Sequence, residues 1–169
     1  MPSSPSGSPP ARLPGAVLAL DVGTRTIGVA YTDPSRTFVF TGATLTRRGV
    51  EKDALVVAGV VSRQRITQVL VGLPLAPEGV PGGSGAGAPV DAEPRGVRLA
   101  RQVGEAVARL TGLPVAWVDE SYTTTEANER LRLAGADNRA VRRVIDGHAA
   151  SVFLEDWLRA ESGPGPART

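Results

Sequence analysis

The sequence predicts an α/β domain with a five-stranded mixed sheet, its first three strands antiparallel, and helices on both faces. Residues 16–43 contain three short apolar or β-branched runs, separated by the turn segments 22–24 and 33–35. Connections this short join antiparallel strands. After residue 50, stretches with helical apolar spacing alternate with apolar runs of strand length, as expected for parallel strands joined by helices.

The order of elements is predicted to be βββαβαβαα. Val17, Leu18, Ala19 and Leu20 form a run suited to a central strand. Apolar residues recur in 95–110 at the spacing of an amphipathic helix. The expected strands are 17–21, 26–32, 38–43, 68–73 and 114–118, and the expected helices are 52–65, 95–110, 123–133 and 146–159.

Composition suggests one domain between two disordered tails. The chain of 169 residues is long enough to bury a core. Residues 1–14 and 161–169 are predicted to be tails, which leaves 15–160 as the folded domain. The segment 74–94 is rich in Gly, Pro, Ala and Ser. It is interpreted either as a mobile insertion near the functional site or as a neutral low-complexity expansion.

Several functional classes are excluded by residue types. The chain has no cysteine, so it can form neither a disulfide nor a thiolate metal site. His148 is the only histidine, which excludes a multi-histidine zinc site within one chain. No apolar stretch approaches the roughly 18 residues of a membrane span, and residues 1–15 lack the apolar core of a secretory signal. We therefore expect a cytoplasmic protein.

Three acidic residues stand at the ends of different predicted elements. Asp21 ends the first strand, Glu120 follows the fifth, and Asp146 opens the last helix. A fold that gathers them would place like charges together, which resist ionisation unless a cation joins them. Hard divalent cations such as Mg²⁺ take carboxylate oxygens together with substrate phosphates. The pattern therefore indicates a metal-dependent enzyme acting on phosphate esters.

Four sequence blocks resemble the YqgF/RuvX family, whose members are RNase H-like proteins related to the RuvC Holliday-junction resolvases. The blocks are 20–30 (LDVGTRTIGVA), 71–74 (VGLP), 119–127 (DESYTTTEA) and 145–150 (IDGHAA). The resemblance covers roughly residues 16–159. It implies an RNase H-like fold in which Asp21, Glu120 and Asp146 are catalytic and bind Mg²⁺ or Mn²⁺. On the same basis Asp21 is expected to bridge two ions, in a two-metal hydrolysis of phosphodiesters.

Two features depart from the family pattern. Ser121 stands where the family usually has arginine, so a cation near the site is missing or is supplied by another arginine. The family's loop after Gly-Leu-Pro is shorter than the segment 74–94, so the resemblance assigns no substrate contacts to that segment.

The candidate residues also have structural interpretations. Asp21 could form a turn. Asp119 neighbours Glu120 on a strand, so their side chains point to opposite faces, and Asp119 is assigned a turn or accessory role. Asp146 could cap a helix while also binding metal. His148 is either a partly exposed helical residue or an accessory catalytic group.

Candidate contacts to nucleic acid lie on both sides of the acidic residues. Thr123 begins a capping-box sequence with Glu126, and Thr123 and Thr124 could bind a phosphate at a helix N-terminus. The other candidates for phosphate contacts are Arg25, Arg139, Arg142 and Arg143.

Four functions follow from these expectations. The resemblance implies either maturation of the 5′ end of pre-16S rRNA, which we favour, or resolution of four-way DNA junctions. Two coordinated cuts in a junction require a symmetric dimer, whereas a monomer favours RNA processing. A nucleic-acid-binding protein with little catalysis is the third interpretation. A phosphotransferase with an Asp-x-Gly phosphate loop is the fourth, although such enzymes clasp a nucleotide between two domains and this chain has length for one.

Overall fold

The computed structural model describes residues 14–73, 93–119 and 139–161. Within these ranges it contains six strands and three helices. The strands are β1 (Ala16–Val22), β2 (Thr26–Thr32), β3 (Val39–Thr41), β4 (Leu45–Thr46), β5 (Ile66–Leu73) and β6 (Val115–Asp119), and the helices are α1 (Val50–Gln64), α2 (Arg95–Thr111) and α3 (Arg139–Glu161).

The strands form one mixed sheet in the order β3-β2-β1-β5-β6, with the short β4 also paired to β2. Strands β1, β2 and β3 are antiparallel neighbours, and β5 runs parallel to both β1 and β6. The predicted α/β class with a mixed sheet is therefore confirmed. Strand β4 is a sixth strand that the sequence did not reveal, because two residues are too few to show a strand period.

Apolar side chains on the two faces of the sheet form two cores. Leu18, Leu20 and Val71 lie on the face covered by α1 and α2. Val17 and Ala19 lie on the opposite face, where Ala150, Phe153 and Leu154 of α3 cover them. This alternation along β1 is the two-residue period of a strand. It confirms the prediction of helices on both faces.

Helix α3 begins earlier than the sequence suggested. The expected start was Asp146, but the helix begins at Arg139 and Asp146 lies inside it. The interpretation of Asp146 as a helix cap is therefore wrong. No proline or glycine interrupts the segment 139–145, so nothing in it stops a helix. Gly147 costs the helix only about 1 kcal/mol relative to alanine.

Arg36 ties distant segments together at the edge of the sheet where β1 begins. It lies in the turn between β2 and β3 with φ 59° and is largely buried. Its Nε donates to the carbonyl of Gly15 at 2.9 Å, and its other nitrogens reach Gln68 at 3.3 Å and Glu161 at 3.2 Å. The guanidinium also stacks over Trp157. A hydrogen-bonded arginine of this kind fixes the geometry of the buried edge.

Some predictions fall outside the described residues. These are the two tails, the segment 74–92 and the helix expected at 123–133. None of the three described helices combines the length and the apolar character needed to cross a membrane.

Candidate active site

Asp21 occupies the edge of the sheet at which the parallel strands end. It is the penultimate residue of β1 and is half-buried. Its side chain continues the row of Val17 and Ala19, because alternate residues of a strand share a face. The carboxylate of Asp21 therefore lies on the face that α3 covers, at the carboxyl ends of β1, β5 and β6.

Glycines flank Asp21 on both neighbouring strands. Gly28 of β2 pairs directly with Asp21. Leu20 pairs with Val71 of β5, so continuing this register by one residue places Gly72 beside Asp21 on the other side. Gly28 alternates with Ala30, and Gly72 with Leu70, so both glycines belong to the α3 face. Neither neighbour places a side chain beside the carboxylate.

Helix α3 makes a close contact at this same edge through Gly147. A methyl group built on Gly147 would lie 2.9 Å from Thr41 Cγ2 and 3.6 Å from Thr44 Oγ1. Ser151 fixes this contact, because its Oγ lies 2.7 Å from Thr41 Oγ1 and donates to the carbonyl of Gly147 at 3.1 Å. The backbone of Asp146 immediately precedes this contact, so the helix brings Asp146 to the end of the sheet that carries Asp21.

A buried ion pair holds the hairpin that follows Asp21. Arg47 Nε lies 3.0 Å from Asp53 Oδ2, and the two side chains are only 9% and 3% exposed. Arg47 also donates from Nη1 to the carbonyl of Gly23 at 3.1 Å and from its backbone nitrogen to the carbonyl of Arg25 at 2.9 Å. Asp53 accepts a further bond from the backbone nitrogen of Arg48 at 2.7 Å. The hairpin is thus fixed to the first turn of α1.

For the other predicted residues, the structure describes the side chain of some, only the backbone of others, and nothing of the rest. Arg25 and His148 have exposed side chains. Asp119 ends β6, and Asp146 lies within α3, as do Arg139, Arg142 and Arg143, but for these only the backbone is described. Glu120, Ser121, Thr123 and Thr124 lie outside the described residues. The described part of the chain contains no cluster of three His, Cys, Asp or Glu side chains suited to a metal.

Sequence reasoning did not assign functions to Gly72 and Gly147. The strand register also places Gly28 opposite Asp21. The available signal was the position of each glycine inside a regular element, where glycine is unfavourable and often marks a close approach. Their common location became visible only with the strand register.

A family model described as "RuvX: Holliday junction resolvase" matches residues 15–160. The chain belongs to the RuvX family. The matched range contains all three proposed carboxylates and both sheet faces described above.

Curated relatives of this RuvX chain share about a third of its residues. A protein of Mycobacteroides abscessus named "Putative pre-16S rRNA nuclease" is 36% identical over 158 residues, covering 93% of this chain and 87% of the relative. Relatives with the same name from Leifsonia xyli and Anaeromyxobacter dehalogenans are 35% and 33% identical. These matches cover 87% and 83% of this chain, and 87% and 94% of the relatives.

Solved structures show the same fold. The structure titled "T. thermophilus RuvC in complex with Holliday junction substrate" has a TM-score of 0.53 at 15% identity and covers 88% of this chain and 96% of that chain. A second Thermus thermophilus RuvC structure has a TM-score of 0.50 at 14% identity, with coverage of 86% and 96%. The RNase H-like fold expected from the sequence is thereby confirmed.

Proposed function

We propose that the protein is a divalent-metal-dependent nuclease that processes the 5′ end of pre-16S rRNA in the cytoplasm. Asp21, Glu120 and Asp146 are the proposed catalytic carboxylates and metal ligands. The nuclease activity follows from family membership and from the relatives' name. The site assignment is supported by the position of Asp21 relative to the strands and the helix around it.

The observation that carries the assignment is the open flank of Asp21. A half-buried carboxylate at the end of a central strand has Gly28 on one side and Gly72 on the other. Side chains larger than hydrogen at these positions would fill the space beside the carboxylate. The glycines contribute no side chain on either side of the carboxylate, whose oxygens are the donor type that Mg²⁺ and Mn²⁺ prefer.

The sheet order supports Glu120 as a second ligand. Ala116 and Val118 of β6 lie on the α3 face, and Glu120 is two residues beyond Val118, the spacing of side chains on one face of a strand. Strand β5 separates β1 from β6, and two strand spacings amount to about 10 Å. The proposal that Glu120, which follows β6 in the chain, shares an ion with Asp21 accords with this spacing.

The close contact at Gly147 supports Asp146 as the third ligand. The helix approaches the sheet at the residue directly after Asp146, on the same face and the same edge as Asp21. When bound, two Mg²⁺ or Mn²⁺ ions would supply a hydroxide nucleophile and neutralise the charge that develops on the phosphate.

The remaining proposed residues bind and orient the substrate. Arg25 is exposed on the hairpin beside Asp21 and is suited to contact a phosphate. Arg139, Arg142 and Arg143 lie on α3 before Asp146, and Thr123 and Thr124 follow Glu120 in the chain. His148 is exposed two residues after Asp146 and is proposed, together with Asp119, as an accessory group.

The alternative is a resolvase of four-way DNA junctions, which the family description favours. The curated relatives' name favours RNA processing. Both activities would use the same carboxylates. They differ in assembly, since paired cuts across a junction need two copies related by a two-fold axis.

The test is cleavage by the purified full chain with Mg²⁺ or Mn²⁺. A structured precursor-rRNA fragment and a four-way DNA junction are offered in parallel. Asp21→Asn and Asp146→Asn should each abolish cleavage. Asp156→Asn is the matched control, because it removes a carboxylate from α3 ten residues beyond Asp146, where Asp156 pairs with Arg159. Circular dichroism checks that each variant remains folded.

The outcomes separate the candidates. RNA cleavage that depends on both carboxylates supports the proposed function, and symmetric junction cuts support the alternative. If Asp21→Asn cuts as fast as the wild-type chain, the site assignment is wrong. If neither substrate is cut but both are bound in a salt-sensitive manner, the protein is a binding protein without nuclease activity.

A further inference from the structure

A groove of about 560 Å³ runs between β4 and the outer side of α1. Thr44 and Thr46 line one wall, and Arg48 and Lys52 line its rim. Leu55 and Val56 of α1 also line it and are 61% and 48% exposed. Two adjacent apolar side chains on the outer face of a helix are suited to contact with another molecule.

Thr44 connects the groove to the helix that carries Asp146. Thr44 lines the groove and also faces α3, where its Oγ1 would lie 3.6 Å from a methyl group built on Gly147. Gly147 directly follows Asp146. On the sheet, β4 pairs with the start of β2, next to the hairpin that follows Asp21. The groove lies on the α1 side of the sheet. A chain that leaves it past Thr44 would cross the end of the sheet to reach Asp21 on the α3 side.

The rim of the groove is positively charged. Arg48 and Lys52 are exposed, as is Arg25 on the adjoining hairpin, and among the described residues these three cations make no ion pair. The nearest acids on α1 are committed elsewhere. The carboxylate of Asp53 is buried against Arg47, and that of Glu51 lies 2.8 Å from Arg109 on α2. The charge on the rim is complementary to a polyanion.

We propose that this groove binds one strand of the nucleic acid substrate as it approaches Asp21. Arg48, Lys52 and Arg25 contact successive phosphates, and sugars and bases lie against Leu55 and Val56. The inference rests on the proposed function, because it takes the substrate to be a nucleic acid. The bonds from Arg47 and Arg48 to Asp53 fix the cationic segment before the substrate arrives, so little ordering is needed on binding.

The experiment measures binding separately from cleavage. The full chain carrying Asp21→Asn is titrated with the rRNA fragment and with the DNA junction, by fluorescence anisotropy over a range of salt concentrations. Arg48→Gln and Lys52→Gln are then added together. Arg63→Gln is the matched control, because Arg63 is an exposed cation in the last turn of the same helix, at the opposite edge of the sheet.

We expect the double variant to bind both nucleic acids more weakly, by a similar factor for each. The slope of log affinity against log salt should fall in magnitude by about two, one for each lost phosphate contact. The Arg63→Gln chain should keep the affinity and slope of its parent. Melting temperatures should stay unchanged, because the three side chains are exposed.

Three results would overturn the proposal: affinity and slope unaffected by the double variant, an equal loss in Arg63→Gln, or no binding of either nucleic acid by the parent. The last result would favour an acidic protein segment as the occupant of the groove. Failure of the proposed function would appear in the cleavage assay and not in the binding comparison. Cleavage independent of Asp21 would refute the active site, whereas the binding comparison would still decide whether the groove is used.

Discussion

The carboxylate of Asp53 accepts a hydrogen bond from Arg47 Nε at 3.0 Å, and both side chains are almost fully buried. Because Arg47 also bonds the carbonyls of Gly23 and Arg25, this pair joins α1 to the hairpin beside Asp21. It connects the stability of the fold to the geometry of the proposed site.

Removing one member of this pair should be costly. We expect Asp53→Ala to lower the free energy of unfolding by about 3 kcal/mol or more, because it leaves Arg47 buried without a partner. Glu51→Ala is the control on the same helical turn. Its pair with Arg109 is 69% and 61% exposed, so the loss should stay below about 1 kcal/mol. Urea unfolding followed by circular dichroism measures both. Equal losses would show that Arg47 keeps adequate partners without Asp53.

The contact between Gly147 and Thr41 should control activity. Gly147→Ala places a methyl group 2.9 Å from Thr41 Cγ2, so either α3 or Thr41, whose Oγ1 lies 2.7 Å from Ser151 Oγ, must shift next to Asp146. We expect cleavage to fall about tenfold or more, since small displacements of reacting groups are expensive. Stability should change little, because alanine favours the helix by about 1 kcal/mol and offsets the crowding.

A second substitution tests the cause of that loss. Thr41→Ser removes the crowding methyl but keeps the hydroxyl that bonds Ser151. The Gly147→Ala, Thr41→Ser chain should recover most of the cleavage rate. Thr41→Ser alone should behave as the wild-type chain. No recovery in the double variant would mean that Gly147 acts in another way.

The space beside Asp21 should not tolerate a side chain. Gly72→Ala adds a methyl group next to the carboxylate, so we expect Mg²⁺-dependent cleavage to fall by about tenfold or more. Gly59→Ala is the control, because it lies within α1 and faces only the flexible end of Arg63 at 3.3 Å. Rates at saturating Mg²⁺ and the Mg²⁺ concentration for half-maximal rate are measured for both. Wild-type kinetics for Gly72→Ala would refute the open-flank argument.

Asp33 should titrate at unusually low pH. The backbone N–H of Phe38 bonds its carboxylate at 2.6 Å, and the Ser35 hydroxyl and the N–H groups of Ser35 and Thr37 also donate to it. These bonds favour the charged form and lower the pKa of Asp33 from its ordinary 3.8 to about 2. Carbon NMR of the Asp33 carboxyl should show a midpoint near that value.

The sign of the stability effect follows from the lowered pKa. The contribution of Asp33 is fully present above its ordinary pKa and is lost as pH falls through about 2. The stability difference between the wild-type chain and Asp33→Asn should therefore shrink as pH falls from about 4 to about 2. A difference that is constant over this range would contradict the assigned hydrogen bonds.

The sequence predicted the strands and helices whose apolar pattern is strong. The runs at 17–21 and 26–32 became β1 and β2, and the amphipathic stretch at 95–110 became α2. The sequence did not predict elements whose apolar pattern is weak or whose ends are determined by tertiary packing. Strand β4 has two residues, and α3 extends upstream of Asp146 because nothing stops it and its later turns pack on the sheet.

The residues of the candidate site could likewise be predicted from the sequence only in part. Asp21 could be singled out because an acid ends an apolar strand inside a family motif. The roles of Gly28 and Gly72 could not be assigned, since they depend on which residues the register places beside Asp21. The groove could not be predicted either, because the apolar character of Leu55 and Val56 does not show that their side chains are exposed. The predictions for Glu120, Thr123 and Thr124 stay predictions.

The bonds of Arg36 have a consequence for the connectivity of the chain. One guanidinium reaches both Gly15, where the described domain begins, and Glu161, where it ends. The two ends of the described domain therefore lie close to each other in space. A short linker joining these two positions would allow the chain to be opened elsewhere, for example at the exposed Gly112 between α2 and β6, with every strand pairing kept. Such a circular permutant would retain the same sheet in a different covalent order.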